Sequence, residues 1–324
     1  MAKNIIITGA GGLIGPLIAT RLLNEPDYNV LLTDLVEPTI PPGVAHPSHA
    51  TCLRGDITDP AFISTLLTTS PQPLHAVFVF HGIMSAGSEA NFDLSLAVNV
   101  DSVRSLLLAL RAHQPGVRVI YASSQAVYGQ PLPAGPITDA VTPTPEGTYG
   151  AHKLATEVLL NDMHRRGFVD AFALRFPSVV VRPGRPTAAA SSFLSGMIRE
   201  PMRGEECVVP LRDRGFRSFL CSPGTLRENL FRVLHMDSQA LPRHVRHINF
   251  PGVSVSIQEL MDALAKHGGE DKLRFLREET DADMERILRS WAPDFDVSTA
   301  LRLGLTRDES GEAIVKEYID SLKD

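Results

Sequence analysis

The segment Gly9-Ala10-Gly11-Gly12-Leu13-Ile14-Gly15 constrains this chain more than any other. It follows the apolar run 4–8, which reads as a strand, and opens the amphipathic stretch 12–24, which reads as a helix. Gly9 suits a tight turn off the strand. Gly12 leaves the backbone bare for close approach of a ligand, and Gly15 lets the helix lie against the sheet. The N–H groups of Leu13, Ile14 and Gly15 at the helix start then attract an anion such as a pyrophosphate. A turn of this kind belongs to a parallel α/β sheet, and the first half of the chain agrees. Apolar runs at 29–33, 50–54, 75–80, 117–121 and 171–176 alternate with helical stretches at 60–69, 92–113 and 148–165. The runs are nearly continuous in apolar residues, as strands buried on both faces are.

These features predict a Rossmann-type, doubly wound parallel sheet. After Phe176 the pattern changes. Proline and glycine become dense between 177 and 210, then helical stretches follow at 222–235 and 257–267, with a short strand at 247–250. The chain is therefore expected to divide into a dinucleotide-binding domain, 1–176 with a returning segment near 222–250, and a smaller C-terminal substrate-binding lobe, 177–221 and 251–324.

Composition narrows the classes. With 324 residues, 44% of them hydrophobic, the chain has ample material for a core. A net charge of −6 without a basic block speaks against nucleic acid. No apolar run approaches the roughly 20 residues of a membrane span. The N-terminal apolar run is read as a buried strand, not a leader, because Thr8 and the glycines interrupt it. Cys52, Cys207 and Cys221 have neither metal-ligand spacing nor a disulfide pattern, and fit a reducing cytoplasm. His244 and His247 have no carboxylate or cysteine cluster near them in sequence, so no metal is expected.

The second strand ends near Asp34, nineteen positions after Gly15. An acid there accepts hydrogen bonds from ribose hydroxyls and repels a 2′-phosphate. Leu35, Val36, Glu37 and Pro38 bring no positive charge, so NAD is favoured over NADP. Asp56 and Ile57, after the third strand, either contact the adenine or, for Asp56, cap the helix beginning near Pro60. Tyr149 and Lys153 stand at i and i+4 on one helix face. A nearby ammonium favours the phenolate and tunes the tyrosine as a general acid–base. Ser123 and Ser124 end the strand at 117–121, at the sheet edge where doubly wound proteins bind ligands.

Taken in order and spacing, these motifs resemble the extended short-chain dehydrogenase/reductases, the NAD-dependent epimerase/dehydratase family. The resemblance rests on Gly9/Gly12/Gly15, Asp34, Asp56-Ile57, Asn99, the 122–129 segment, Tyr149/Lys153 and Leu174-Arg175-Phe176-Pro177. It implies that Tyr149 moves the proton, that Lys153 holds the nicotinamide ribose, and that Ser124 polarises the substrate oxygen. It implies further cofactor contacts at Phe80, His81, Gly82, Asn99, Pro177 and Ser178, with His81 acting through its backbone. A homodimer paired through helices 92–113 and 148–165 is also implied.

Within the family, Gln125-Ala126 after Ser124 lacks the carboxylate that a dehydratase needs. The run from Arg182-Pro183-Gly184 through 188–193 to Ile198-Arg199-Glu200-Pro201 is similar to the branch that oxidises C2 of D-erythronate. It implies a small hydroxy-acid substrate, with Ser85, Ser123, Ser124, Arg182, Arg185 and Ser192 as candidate contacts. Either arginine is a carboxylate partner or plain surface charge. A nucleotide-sugar epimerase, a carbonyl reductase and a non-catalytic NAD sensor are the alternatives.

Overall fold

The computed structural model describes residues 2–186 and 190–323. Six strands form the first half: β1 Lys3–Thr8, β2 Tyr28–Asp34, β3 Ala50–Arg54, β4 Leu74–Val79, β5 Arg118–Ser124 and β6 Asp170–Phe176. Six more follow: β7 Ser178–Val179, β8 Cys207–Val209, β9 Arg217–Cys221, β10 His247–Asn249, β11 Val253–Ser256 and β12 Leu276–Glu278. The central sheet has the order β10-β6-β5-β4-β1-β2-β3, and every pairing in it is parallel. Chain order reverses between β1 and β4, which opens a crevice at their carboxyl ends.

The period-2 alternation of strands sorts the core into two layers. Ile5, Ile7, Val30, Leu32, Phe78, Ile120 and Phe172 pack with helices Ile14–Leu23 and Pro223–Leu234. Ile6, Leu31, Val77, Val79, Val119, Tyr121 and Ala171 face the opposite way, onto Pro60–Thr69, Ser102–His113 and Thr148–Arg165. A third cluster, with Val180, Met197, Val209, Leu220, Leu260 and Val315, fills the part built on the sheets β11-β9-β7 and β12-β8. Ala292, Phe295, Val297 and Ala300 pack against the first layer of the central sheet. The Phe295 ring sits 4.8 Å from that of Phe219 and 5.6 Å from that of Tyr128.

Two local departures from the sequence reading shape the site. The stretch 92–113 is not one regular helix: Phe92–Leu96 and Ser102–His113 flank a π-helical turn at Ala97–Asp101. The widened turn leaves the Asn99 carbonyl to accept from Thr156 Oγ1 at 3.2 Å. The fifth strand runs three residues past Tyr121, with Ser124 opposite Phe176. Both serines therefore lie on the strand, and successive side chains point to opposite faces.

Candidate active site

The glycine turn forms because its neighbours leave no room for side chains. Gly9 has φ +69°, and a Cβ there would lie 2.5 Å from the His81 nitrogen. A Cβ at Gly15 would lie 2.6 Å from Ala10 Cα. The helix begins at Ile14, two residues later than the sequence suggests, because Gly12 N donates to Gly9 O at 3.1 Å and extends the turn. No side chain caps this helix at Leu13, so its first N–H groups remain available for an anion. Asp34 is fixed over the turn: its Oδ2 accepts from Gly11 N at 2.8 Å and its Oδ1 from Leu35 N at 2.7 Å. Each carboxylate oxygen keeps capacity for a further donor. Asp56 does not cap the next helix. Its Oδ1 accepts from Thr58 N and Oγ1, at 2.9 and 2.7 Å, while Asp59 caps Pro60–Thr69 through Ala61 N. Ile57 is half-buried and packs against the second core layer.

Ser124, Tyr149 and Lys153 come together where β5 ends. Ser124 accepts from Ala126 N at 3.1 Å and hydrogen-bonds the Tyr149 phenol. Burial pushes the phenol up to about 12, opposed by the Ser124 hydrogen bond and then by the Arg182 charge. Lys153 is 3% exposed, and its Nζ lies 4.7 Å from the Tyr121 ring centre and 5.5 Å from that of Tyr149. Burial pushes this ammonium down to about 7, with Glu157 opposing. In the chain by itself, the charge that lowers the phenol is that of Arg182.

Lys153 makes no hydrogen bond among the described residues, so its ammonium has donors to spare for a ligand. Paired ribose hydroxyls would satisfy it. Together with the uncapped helix start and the bare glycine turn, this makes the residues fit a nicotinamide dinucleotide. The lowered lysine has a stability consequence. The folded value of about 7 lies below the 10.5 of an exposed lysine. Below pH 7 the fold thus carries the full cost of a buried charge, which fades as pH rises toward 10.5. Lys153→Met should raise the melting temperature of the cofactor-free protein by about 1–2 °C per kcal/mol recovered. The gain should be largest on the acid side of that window, while NAD binding weakens. Parallel thermal melts and titrations with NAD check both.

Several candidates occupy different roles from those the sequence suggests. Ser123 is turned away from Ser124: its hydroxyl is buried and donates to Glu157 Oε1, on the face that Tyr121 shares. His81 turns its ring into the core, where Nδ1 meets Thr8 Oγ1 at 2.7 Å and Nε2 meets Ser102 Oγ at 2.9 Å. Burial, then the Lys153 charge, pushes it down to about 3, so it stays neutral and only its backbone faces the turn. Phe80 N is bonded to Thr8 Oγ1 at 3.2 Å. Asn99 is 1% exposed and spends its amide within the chain. It donates to Ile83 O and Ser95 Oγ, both at 3.0 Å, and accepts from Ile83 N at 2.8 Å. It holds the loop beside Lys153, and its amide is not left to contact a cofactor. A Cβ on Gly82 would lie 2.9 Å from Asn99 Oδ1 and 3.5 Å from Lys153 Nζ.

Pro177 and Ser178 follow β6 at the carboxyl edge, and Ser178 Oγ accepts from Gln125 Nε2 at 3.4 Å. Arg182 donates to Val179 O at 3.0 Å and Ser191 Oγ at 3.3 Å, and its charge reaches Tyr149. Arg185 is exposed. Ser85 opens the short helix Ser85–Ala90, and Ser192 opens Ser192–Arg203. Thr187, Ala188 and Ala189, part of the small-residue run, lie outside the described residues. Gln125, next to Ser124, has its Oε1 buried without a partner among the described residues and is a further candidate for the site.

Behind the site lies a buried ion-pair network. Arg175 Nε and Nη2 donate to Glu157, at 2.9 and 2.6 Å, and Arg175 Nη1 donates to Tyr128. Tyr128 in turn donates to Asn249 Oδ1 at 2.9 Å. Glu157 is one turn after Lys153, so this network fixes the helix that carries both Tyr149 and Lys153.

A switch-point crevice with a phosphate-ready turn, an acid for ribose and a serine-held phenol beside a lysine defines a nicotinamide-dependent oxidoreductase. Comparison with known proteins agrees. The model of the NAD dependent epimerase/dehydratase family matches residues 5–222. A D-erythronate dehydrogenase of Haemophilus influenzae is 33% identical over 319 residues, 98% of each chain. Another, of Cupriavidus necator, is 34% identical over 326 residues, again 98% of each. The solved structure of a nucleoside-diphosphate-sugar epimerase from Agrobacterium tumefaciens has a TM-score of 0.90 at 32% identity, over 98% of this chain and 94% of that one. The chain belongs to the NAD-dependent epimerase/dehydratase family and is an NAD-dependent dehydrogenase of the extended short-chain type.

Proposed function

We propose that the enzyme oxidises the C2 hydroxyl of a small hydroxy acid, D-erythronate foremost, to the 2-oxo acid. The observation that carries this reading is the Arg182 guanidinium, held by Val179 O and Ser191 and close enough to bias the Tyr149 phenol. A cation beside the base suits a substrate whose carboxylate neighbours the reacting hydroxyl. The two dehydrogenase relatives at 33% and 34% identity support the same substrate class. When bound, NAD supplies the hydride acceptor and a positive charge. Tyr149, as phenolate, takes the hydroxyl proton; Ser124 holds the alcohol oxygen; Lys153 binds the ribose; Asp34 accepts from the adenosine ribose; Arg182 orients the carboxylate. Residues 1–176 with 222–250 form the cofactor half in this reading, and 177–221 with 251–324 the substrate half.

Arg182→Met should raise KM for the acid by about 30-fold or more, the loss of a desolvated charge pair. KM for NAD should stay within about twofold. An unchanged KM for the acid would remove Arg182 from this role. Epimerisation of a nucleotide sugar by the unaltered protein would favour the epimerase alternative, as in the similar Agrobacterium protein.

The enzyme is proposed to act as a homodimer. Helix Thr148–Arg165 leaves Ala151, Leu154, Ala155, Val158 and Leu159 at or near the surface, and Val158 is 62% exposed. Leu108 of Ser102–His113 is also exposed, at 45%. Spacing of three and four residues makes a continuous apolar face that a second copy would cover. Sedimentation should give twice the chain mass of 35.3 kDa, and a single-chain mass at micromolar concentration would contradict it. No helix among the described residues is long and apolar enough to cross a membrane. The three unpaired cysteines suit a cytoplasmic setting.

A further inference from the structure

His152 stands between Tyr149 and Lys153 in sequence but turns away from both, and it is 6% exposed. Its Nδ1 lies 2.9 Å from Ser95 Oγ, and its ring lies 5.3 Å from that of Phe92. Counting hydrogens fixes the direction of each bond. Ile83 O can only accept, so Ser88 Oγ donates to it at 3.1 Å. Ser88 then accepts from Ser95 Oγ, at 2.8 Å. Ser95 has spent its one hydrogen, so it accepts both from Asn99 Nδ2, at 3.0 Å, and from His152 Nδ1. The imidazole therefore carries its proton on Nδ1 and heads a one-way chain, His152 to Ser95 to Ser88 to Ile83. Asn99 closes the chain by gripping Ile83 N and O, at 2.8 and 3.0 Å. The clamped segment is the one that walls the Lys153 ammonium, since Gly82 has room for no side chain between Asn99 and Lys153.

We propose that His152 is a positioning residue, which through Ser95, Ser88 and Asn99 sets the Gly82–Ile83 wall of the Lys153 pocket and so the affinity for the nicotinamide half of NAD. The helix turn that carries the proton-transfer pair thereby also shapes the pocket facing it. Lose the Nδ1–H donor, and Ser95 becomes free to turn from Ser88 and release Ile83.

The test measures NAD binding calorimetrically on the full chain, independent of any substrate. His152→Leu, which keeps the bulk against Phe92, should weaken NAD binding about five- to tenfold, the worth of a buried hydrogen bond. Ser95→Ala should do the same with minimal change in shape, and decides the matter if the leucine variant does not fold. His152→Asn places an amide nitrogen where Nδ1 stands and should stay within about twofold of the unaltered protein. Nitrogen NMR on histidine-labelled, cofactor-free protein should show His152 as the Nδ1–H tautomer. Unchanged NAD affinity in both the leucine and Ser95→Ala variants would overturn the proposal. So would an asparagine variant as weak as the leucine one, or an Nε2–H tautomer.

Discussion

Tyr149→Phe is expected to lower kcat by about 10²–10⁴-fold while NAD binding stays close to that of the unaltered enzyme. The ring and its packing survive; only the hydroxyl that Ser124 holds is lost. The phenol's position makes this the largest catalytic effect any single atom should produce. Its pH profile adds a second check. Burial holds the phenol up at about 12 in the chain alone, so alcohol oxidation, which needs the phenolate, should accelerate as pH rises. Bound NAD, with its positive charge, should shift that rise to lower pH. Reduction, which needs the protonated phenol, should show the opposite trend. Stopped-flow rates from neutral to alkaline pH measure both. A phenylalanine variant retaining most of its kcat would remove Tyr149 from proton transfer.

The largest expected effect on stability comes from Arg175→Met. Arg175 and Glu157 are 3% and 1% exposed, and the arginine places two nitrogens on the carboxylate and a third on Tyr128. Removing the arginine leaves a buried carboxylate with Ser123 as its one donor among the described residues. That should cost about 3–5 kcal/mol. Replacing both partners, Arg175→Met with Glu157→Leu, removes the stranded charge and should recover much of the loss. Urea unfolding of the two single variants and the double variant separates the pair's net worth from the cost of breaking it. A single variant as stable as the parent would show that water already reaches Glu157.

What was legible in the sequence was local. The glycine turn, Asp34 and the bounds of Thr148–Arg165 follow from short-range spacing, and each stands where spacing put it. The illegible parts depend on long-range packing. Ser123 stands beside Ser124 as a candidate contact because nothing in the sequence shows that β5 continues to residue 124 and turns alternate serines to opposite faces. The π turn around Asn99 leaves no mark on apolar periodicity. The Glu157–Arg175–Tyr128–Asn249 network joins four elements distant in the chain, so its members read separately as ordinary polar residues. Arg182 acts on Tyr149 from beyond β7, a proximity that spacing along the helix could not reveal.

The most direct test of the account is nicotinamide absorbance when the purified enzyme and NAD meet a panel of short acids. The panel holds D- and L-erythronate, D- and L-threonate, L-threonine and a hexuronate. The account predicts NADH formation with D-erythronate, strongest in the panel and absent with Tyr149→Phe. A flat trace across the whole panel, from protein that still binds NAD, would contradict it.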